Sequence, residues 1–108
     1  MTIHELKCWP EYFEALWDGK KTFEIRKDDR GYQVGDYLVQ REYDLNSGYS
    51  GRVMVMSVTY VLDNPTFVKD GYVVMSVDEV MGWERLDKFE ENMKRFFNVA
   101  ALEKESRW

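Results

Sequence analysis

The sequence predicts a small α+β domain, and three observations support that fold class. Five segments carry β-branched, aromatic and methionine residues in the short runs typical of strands. Two other segments, one near each end of the chain, repeat apolar residues every three or four positions, as amphipathic helices do. The 108 residues, 44% of them hydrophobic and 16% aromatic, are enough for one domain with its own core.

The chain opens with a predicted strand and a short helix. Apolar and polar residues roughly alternate over residues 4–9, which indicates the strand. Pro10 suits the first position of a helix, because it has no amide hydrogen to lose and its φ angle is already helical. Gly19 can adopt the left-handed conformation that ends a helix, so the helix is predicted over residues 10–18. Its apolar residues are Tyr12, Phe13, Leu16 and Trp17.

The next segment, GKKTFEIRK over residues 19–27, is the one on which the functional interpretation depends. As a strand, it places Phe23 and Ile25 on one face and Glu24 and Arg26 on the other. We expect the apolar face to be buried and the charged face to contact water or a ligand. Side chains two positions apart lie roughly 6–7 Å apart, so Glu24 and Arg26 are spaced to hold a polar ligand between them. The alternative is a surface ion pair on a solvated strand.

Turn-forming residues separate the remaining strands. Asp and Gly predict a turn over residues 28–31, and the Val-Gly-Asp sequence predicts another over residues 34–36. A long hairpin connection rich in Asn, Ser and Gly is predicted over residues 44–51, and a proline-containing loop over residues 63–71. The strands between them are predicted over three segments: residues 37–43, 52–62 and 72–77.

Residues 83–103 are predicted to form a long amphipathic helix. Glu and Lys alternate there with recurring apolar residues: Leu86, Phe89, Met93, Phe96 or Phe97, and Ala100. We expect the apolar face to pack on the same chain, so that residues 1–82 form a sheet domain and residues 83–108 a helix at its rim. The alternative is packing against a second copy, which would make the protein a homodimer through this helix rather than a monomer.

Charge and cysteine content exclude several classes of function. The net charge of -5 and the pI near 4.9 argue against binding long duplex DNA, which requires many phosphates to be neutralised. Any nucleic-acid contact must therefore be local.

The single cysteine, Cys8, excludes an intrachain disulfide and a cysteine-based zinc cluster. No secretory signal and no membrane-spanning stretch is present, so a cytoplasmic protein without a membrane partner is expected.

His4 and the acidic turn at residues 28–30 are the other candidate sites for a metal ion or a nucleophile. His4 is the only histidine, which excludes a metal site with a pair of histidine ligands. His4 shares a strand face with Cys8, so a nucleophilic thiol paired with an imidazole would have to consist of these two residues. Asp28, Asp29 and Arg30 lack the ligand spacing of a calcium loop. No metal and no cofactor is expected.

The first half of the chain resembles the ASCH family and, within it, the small bacterial and phage proteins called DUF3850. The shared motif is G-x-K-x-x-E-x-R, occupied here by Gly19, Lys21, Glu24 and Arg26, and the Val-Gly-Asp turn follows it. The resemblance is strong over residues 4–44, weaker from there to residue 77, and includes no counterpart of the last helix. It implies a PUA-like fold, a small open β-barrel with helices at its rim, that binds RNA or modified nucleosides in a cleft lined by the motif.

The resemblance places Lys21, Glu24 and Arg26 in that cleft. There, Arg26 would bind a phosphate or a base edge in a bidentate manner, and Lys21 would act as a point charge. Glu24 would accept a hydrogen bond from an exocyclic amine of a base. Replacing Arg26 with Ala should then abolish binding and leave the melting temperature nearly unchanged.

Further candidates come from the opening of the chain and from nearby aromatic residues. DUF3850 proteins share an H-x-L-K opening that is present here, so the resemblance makes His4 and Lys7 candidate cleft residues. The alternative is a first strand whose polar ends are hydrogen-bonded. Trp9, Tyr32 and Tyr43 are candidate surfaces for a base to stack on, with core packing as the alternative.

Two other functions remain open at this point. Some ASCH proteins resemble amidohydrolases that remove an acyl group from the amine of a modified cytidine, using a lysine, a threonine nucleophile and a glutamate. Here Glu24 stands at the position of the threonine, and the loop over residues 63–71 has no glutamate. Hydrolysis would need Glu24 as a base toward water and Lys21 to polarise the carbonyl. The third function is that of a phage or mobile-element protein that blocks a host protein through its acidic surface and last helix.

Overall fold

One sheet and one helix make up the part of the chain that the computed structural model describes, residues 1–83 and 103–104. In chain order the elements are β1 (Ile3–Cys8), α1 (Pro10–Trp17), β2 (Phe23–Lys27), β3 (Tyr37–Asp44), β4 (Gly48–Leu62), β5 (Tyr72–Trp83) and β6 (Glu103–Lys104). The strand order in the sheet is β2-β5-β4-β3-β1-β6. Strand β1 runs parallel to β3 and β6, and the other neighbouring pairs are antiparallel.

The sheet curls until β2 and β1 approach each other. Three strands separate these two in the sheet order. Even so, Arg26 on β2 donates a hydrogen bond from Nη2 to the carbonyl oxygen of Lys7 on β1 at 3.0 Å. A twisted sheet that brings distant strands together in this way has begun to close into a barrel. The predicted open barrel is therefore confirmed in its coarser form, as a curled half-barrel.

The helix α1 packs on the concave side of the curl. Its apolar stripe buries Phe13 and Leu16 completely. Burial of such a side chain stabilises the fold by about 1.5–3 kcal/mol, which fixes the helix and the residues at both its ends. The cluster that receives the helix comes mostly from four strands and contains Leu6, Cys8, Tyr32, Leu38, Met54, Met56, Val58, Val73, Met75 and Val77.

The start of the chain folds as its residues predict. Strand β1 and helix α1 match the predicted bounds to within one residue at each end. Gly19 takes a φ angle of 74°, the left-handed conformation expected after the helix. The backbone N–H of Gly19 bonds the carbonyl of Leu16, and this turn delivers the chain directly into β2.

The predicted long hairpin connection over residues 44–51 is wrong. Strands β3 and β4 continue to a tight turn, in which Asp44 pairs with Gly48. The Asp44 side chain accepts hydrogen bonds from the backbone N–H groups of Asn46 and Ser47. These bonds lower the pKa of Asp44 from its ordinary value of 3.8, because they favour the carboxylate form. Turn chemistry was recognised in the sequence, but the number of residues needed to close the turn was overestimated.

The end of the described chain differs from the prediction. Strand β5 continues past the predicted residues 72–77 to Trp83, because β4 is long enough to pair with it there through Val53. The helix predicted over residues 83–103, with its packing role for residues 83–108, lies outside the described residues, except that Trp83 and Glu103–Lys104 are strand residues. No helix within the described residues has both the length and the apolar character needed to cross a membrane.

Strand β2 has its two faces in the opposite orientation from the one predicted. Phe23 and Ile25 are 43% and 57% exposed, whereas Glu24 and Arg26 are only 3% and 7% exposed. Register explains this, because Glu24 and Arg26 pair with two core residues of β5, Met75 and Val73. Side chains on directly paired positions lie on the same face of a sheet. The charged residues therefore point into the half-barrel, and the apolar pair points out.

Candidate functional site

Lys21, Glu24 and Arg26 form one connected ion-pair cluster. The Lys21 ammonium donates to Oε1 of Glu24 at 2.6 Å, and Nε of Arg26 donates to Oε2 of the same carboxylate at 3.0 Å. Such charge-assisted bonds are about twice as strong as neutral ones. The three charges sum to +1, so the cluster keeps an excess positive charge on a chain whose total is -5. The three motif residues thus contact one another directly, and Glu24 and Arg26 form an ion pair with each other instead of holding a ligand between them.

Arg26 has a second set of contacts that the sequence did not reveal. Its Nη2 group donates to the Lys7 carbonyl at 3.0 Å and to Oε1 of Gln40 on β3 at 3.2 Å. These bonds and the one to Glu24 use three of its five N–H groups. No bond to Nη1 occurs within the part of the chain that the structure describes, which leaves two donors of Arg26 for a ligand.

A cleft of about 770 Å³ opens beside this cluster. That volume lies within the range of small-molecule sites, roughly 300–1,000 Å³. Its wall is contributed by four parts of the fold: the end of β1 with the following residue, the first turn of α1, the segment that contains β2, and the first residue of β5. The lining residues are Cys8, Trp9, Tyr12, Lys21, Phe23, Glu24, Ile25, Arg26 and Tyr72.

Two aromatic rings line the cleft beside the charged cluster. Trp9 and Tyr12 are 41% and 47% exposed, and their rings are nearly parallel, with 13° between planes and 6.3 Å between centroids. The beginning of α1 positions both residues, since Trp9 is its N-cap residue and Tyr12 lies in its first turn. The Lys21 ammonium is 5.7 Å from the Tyr12 ring centroid. Exposed aromatic faces beside a cation suit a flat, polar ring system.

A smaller cleft of about 380 Å³ adjoins the first. The two clefts share Ile25 and Tyr72, and the smaller one also contains the exposed Phe67 and Lys69 from the loop before β5. The Lys69 ammonium is 5.1 Å from the Tyr72 ring centroid. Apolar surface therefore continues from the main cleft across the outer face of β2.

The structure places His4 outside this cleft. His4 is buried, with its Nε2 at 2.9 Å from a carboxylate oxygen of Asp36, and its ring packs on Tyr32 at 4.8 Å. Asp36 also accepts from the backbone N–H groups of Thr2 and Gln33. Burial alone would raise the pKa of Asp36, but these hydrogen bonds outweigh it and hold the pKa below 3.8. The position of His4 supports the alternative in which the polar residues of the first strand are hydrogen-bonded within the protein. Tyr32 packs in the core.

Lys7 and Tyr43 meet each other, but on the other face of β1 and β3. The Lys7 ammonium lies 4.4 Å from the Tyr43 ring centroid. The Tyr43 ring packs edge-on against Tyr49, and Arg41 covers Tyr49 at 3.8 Å. Because successive strand residues alternate faces, Lys7 points away from the cleft lined by its neighbour Cys8. Only the carbonyl of Lys7 takes part in the cluster around Arg26.

Cys8 lines the cleft but is not an activated nucleophile. Burial raises the pKa of its thiol to about 12, and the nearby Glu24 carboxylate adds to the shift. The thiol therefore stays protonated at neutral pH, and the thiolate is the reactive form. His4 is bonded to Asp36, so the arrangement does not pair it with the thiol.

Sequence reasoning missed several residues of the cleft wall. The sequence assigns Tyr12 to the apolar stripe of α1, but the stripe that packs on the core consists of the buried Phe13 and Leu16 with the partly buried Trp17. Phe23 and Ile25 were assigned to the core because they are apolar. A signal was available for Tyr12, since it follows Pro10 and Glu11 at the exposed beginning of the helix, where an aromatic residue can stay accessible.

Comparisons with known proteins find relatives of this chain in sequence. The model of the family DUF3850, a domain of unknown function, matches residues 3–77. A relative in Escherichia phage P2, an uncharacterized 12.9 kDa protein in the GpA 3' region, is 37% identical over 73 residues, which are 68% of this chain and 65% of that protein. The chain thus aligns with somewhat less than two thirds of the length of this curated relative.

A solved structure shares the fold. The crystal structure of a mutant of ZmASCH from Zymomonas mobilis superposes with a TM-score of 0.55 at 15% identity, covering 90% of this chain and 83% of the other. At this identity the likeness concerns the fold alone. It supports an ASCH-type curled sheet with a helix on its concave side.

Proposed function

The chain belongs to the DUF3850 family, and from that premise we propose that it binds a modified nucleoside or a short single-stranded RNA segment in the cleft beside Lys21, Glu24 and Arg26. The binding is local, to one or a few nucleotides. Long duplex nucleic acid is a poor ligand, because the chain as a whole is acidic.

The observation that carries the proposal is that one cleft contains both a charged cluster and exposed aromatic rings. Lys21, Glu24 and Arg26 line this cleft together with Trp9 and Tyr12. A nucleotide has the matching parts, a flat base that stacks on aromatic rings and an anionic phosphate that a cation binds. An apolar ligand would make no use of the remaining donors of Lys21 and Arg26, and a free phosphate would make no use of the aromatic rings.

The three charged residues differ in how available they are to a ligand. Lys21 is the most accessible, with its side chain 17% exposed. Each Glu24 oxygen already accepts one bond, and a carboxylate oxygen can accept a second. Arg26 is held by three bonds within the protein and offers Nη1. We therefore assign the main electrostatic contact with the ligand to Lys21 and a combined structural and binding role to Arg26.

Substitution of Lys21 tests this assignment against a close control. Lys21→Met keeps the apolar stem and removes the charge, and Lys20→Met does the same one residue earlier, outside the cleft lining. Loss of a charge-assisted contact should weaken binding of cytidine or uridine monophosphate roughly 10- to 100-fold, from about 1.5–3 kcal/mol. Lys20→Met should change affinity less than about twofold. Equal effects of the two substitutions in calorimetric titrations would contradict a nucleotide site in this cleft.

Amidohydrolysis is the second candidate, and the short contact between Lys21 and Glu24 is the observation that favours it. A lysine and a carboxylate in one cleft supply a polarising group and a base for water. The same contact also holds Lys21 to Glu24 rather than to a substrate carbonyl. Incubation with acylated cytidines separates the two functions: release of the acid, lost in Glu24→Gln, would establish the hydrolase, and tight binding without release would establish the binding module.

The remaining alternative, blockage of a host protein, was based on the acidic surface and the last helix. The helix assigned to that role lies outside the described residues. Recovery of a protein partner without nucleotide from a bacterial lysate, unchanged by Lys21→Met, would favour this function over the one proposed.

A further inference from the structure

Strand β2 is an edge strand, and its register shows which backbone groups face outward. The Val77 N–H bonds the Thr22 carbonyl at 3.1 Å, and the Asp28 N–H bonds the Gly71 carbonyl at 2.8 Å. In an antiparallel pair, residues that exchange such bonds alternate with residues that do not. The backbone groups of Glu24 and Arg26 therefore form the hydrogen bonds to β5, and the odd-numbered residues of β2 direct their N–H and C=O groups away from β5.

The outward-facing residues of this edge are Phe23, Ile25 and Lys27. Among the strands that the structure describes, β2 is the first in the sheet order and pairs with β5 alone. Over residues 1–83 and 103–104, no hydrogen bond uses the backbone groups that Phe23 and Ile25 direct away from β5, whereas the Lys27 carbonyl accepts from the Asp29 N–H at 3.0 Å. Phe23 and Ile25 therefore each present an unused donor and an unused acceptor, the pattern by which an edge strand recognises a ligand.

The main cleft runs along this edge. Four consecutive residues, Phe23 to Arg26, line it, and consecutive strand residues point to opposite faces. A cavity that touches both faces of a strand must pass along its open edge. Ile25 lies in the middle of this stretch and also borders the smaller cleft, whereas Lys27 lines neither. The backbone of Ile25 therefore faces the space between β2 and the two aromatic rings.

We propose that the backbone N–H and C=O of Ile25 bind the Watson–Crick edge of a nucleobase, with the base covered by Trp9 and Tyr12. In an extended residue these two groups point the same way, side by side, and together form one donor–acceptor pair. Nucleobases carry a donor next to an acceptor on that edge, and proteins read unstacked bases there. An ionised phosphate offers acceptors alone and would leave the Ile25 carbonyl unmet. The inference rests on the proposed function and adds an orientation: the base faces β2 and the phosphate lies toward Lys21.

Modified ligands test the orientation with the wild-type protein. A methyl group at N3 of uridine removes the donor of the Watson–Crick edge, and a methyl group at C5 leaves that edge intact. 3-Methyluridine monophosphate should bind at least about tenfold more weakly than uridine monophosphate, because an unmet hydrogen bond leaves a buried polar group unpaired. 5-Methyluridine monophosphate should bind within about twofold.

A proline substitution tests the residue. Ile25→Pro removes the outward N–H without breaking a bond to β5, and edge strands tolerate proline at such positions. Lys27→Pro is the matched control, since it removes an outward N–H from the same edge beyond the cleft, and Ile25→Val controls for the side chain. We expect Ile25→Pro to weaken uridine monophosphate binding at least about tenfold, with both controls within about twofold.

The outcomes separate this inference from the proposed function. Equal affinity for the two methylated ligands, with binding still lost in Lys21→Met, overturns the base orientation and leaves the nucleotide site in place. Absence of nucleotide binding by the wild-type protein overturns both. A wild-type dimer that Ile25→Pro converts to a monomer would show that the edge pairs with a second copy, which also overturns the inference. If Ile25→Pro fails to fold, the methylated ligands decide the question.

Discussion

Arg26 on β2 donates a hydrogen bond to the carbonyl oxygen of Lys7 on β1, across the opening of the curled sheet. The same guanidinium holds Glu24 and Gln40. A residue of the G-x-K-x-x-E-x-R motif therefore joins strands that the sheet order separates. The same bonds of Arg26 therefore shape the cleft and hold the curled sheet together.

Arg26→Ala should destabilise the protein, contrary to what the sequence suggested. The substitution removes one partner of a buried ion pair and leaves the Gln40 and Lys7 acceptors unmet, at a cost of about 3–5 kcal/mol. Urea unfolding would measure this loss. Lys27→Ala, at an exposed position on the same strand, should cost less than about 0.5 kcal/mol. Similar unfolding free energies for the two variants would show that the Arg26 contacts do not support the fold.

Lys21→Met should separate stability from binding. The Lys21 side chain is 17% exposed and its loss leaves unpaired one oxygen of a carboxylate that Arg26 still holds, so its removal should cost about 1–3 kcal/mol, less than the removal of Arg26. Its nucleotide affinity should nevertheless fall by the factor given above. A melting curve and a titration on the same preparation would check both. A large loss of stability would assign Lys21 to the structure instead of the site.

Asp36 should make the protein sensitive to acid. Its folded-state pKa lies below 3.8, so the carboxylate form stabilises the fold above that pH, and the stabilisation is lost as the pH falls through the lower folded-state pKa. Asp36→Asn should cost about 1–3 kcal/mol at pH 7, because His4 and two backbone N–H groups lose a charged acceptor. The difference between variant and wild type should shrink below pH 3.8. A constant difference down to pH 2 would exclude this role.

Cys8 should resist alkylation in the native protein. Its thiol is buried and its pKa is raised to about 12, so the thiolate population at pH 8 is very small. Mass spectrometry after iodoacetamide treatment should show rapid modification only in denaturant. Rapid native modification would mean that the cleft exposes an activated thiol, which would reopen covalent chemistry at this site.

The helix and the motif were accessible from the sequence because local chemistry specifies them. Pro10 begins α1, Gly19 ends it, and the turn after it delivers Lys21 and Glu24 to one cluster. Each of these features depends on neighbours a few residues apart. The sequence therefore located the charged side of the cleft without knowledge of the sheet.

The orientation of β2 could not be predicted in the same way. Alternation shows that Phe23 and Glu24 face opposite ways, but the inner face is decided by distant partners. Those partners of Arg26 lie 14 and 19 positions away, at Gln40 and Lys7. Burying charge is favourable only when the partners are in place, and hydrophobicity alone favoured the opposite assignment. The exposed Phe23 and Ile25 of the cleft edge were missed for that reason.

A nucleotide bound between β2 and the rings of Trp9 and Tyr12 would be detected most directly by nuclear magnetic resonance of isotope-labelled protein titrated with uridine monophosphate. We expect the largest chemical-shift changes at the backbone amides of residues 23–26 and at the Trp9 indole N–H, while Tyr49 on the opposite face stays unchanged. Shifts centred on Tyr43 and Tyr49, with residues 23–26 unmoved, would contradict this placement of the nucleotide.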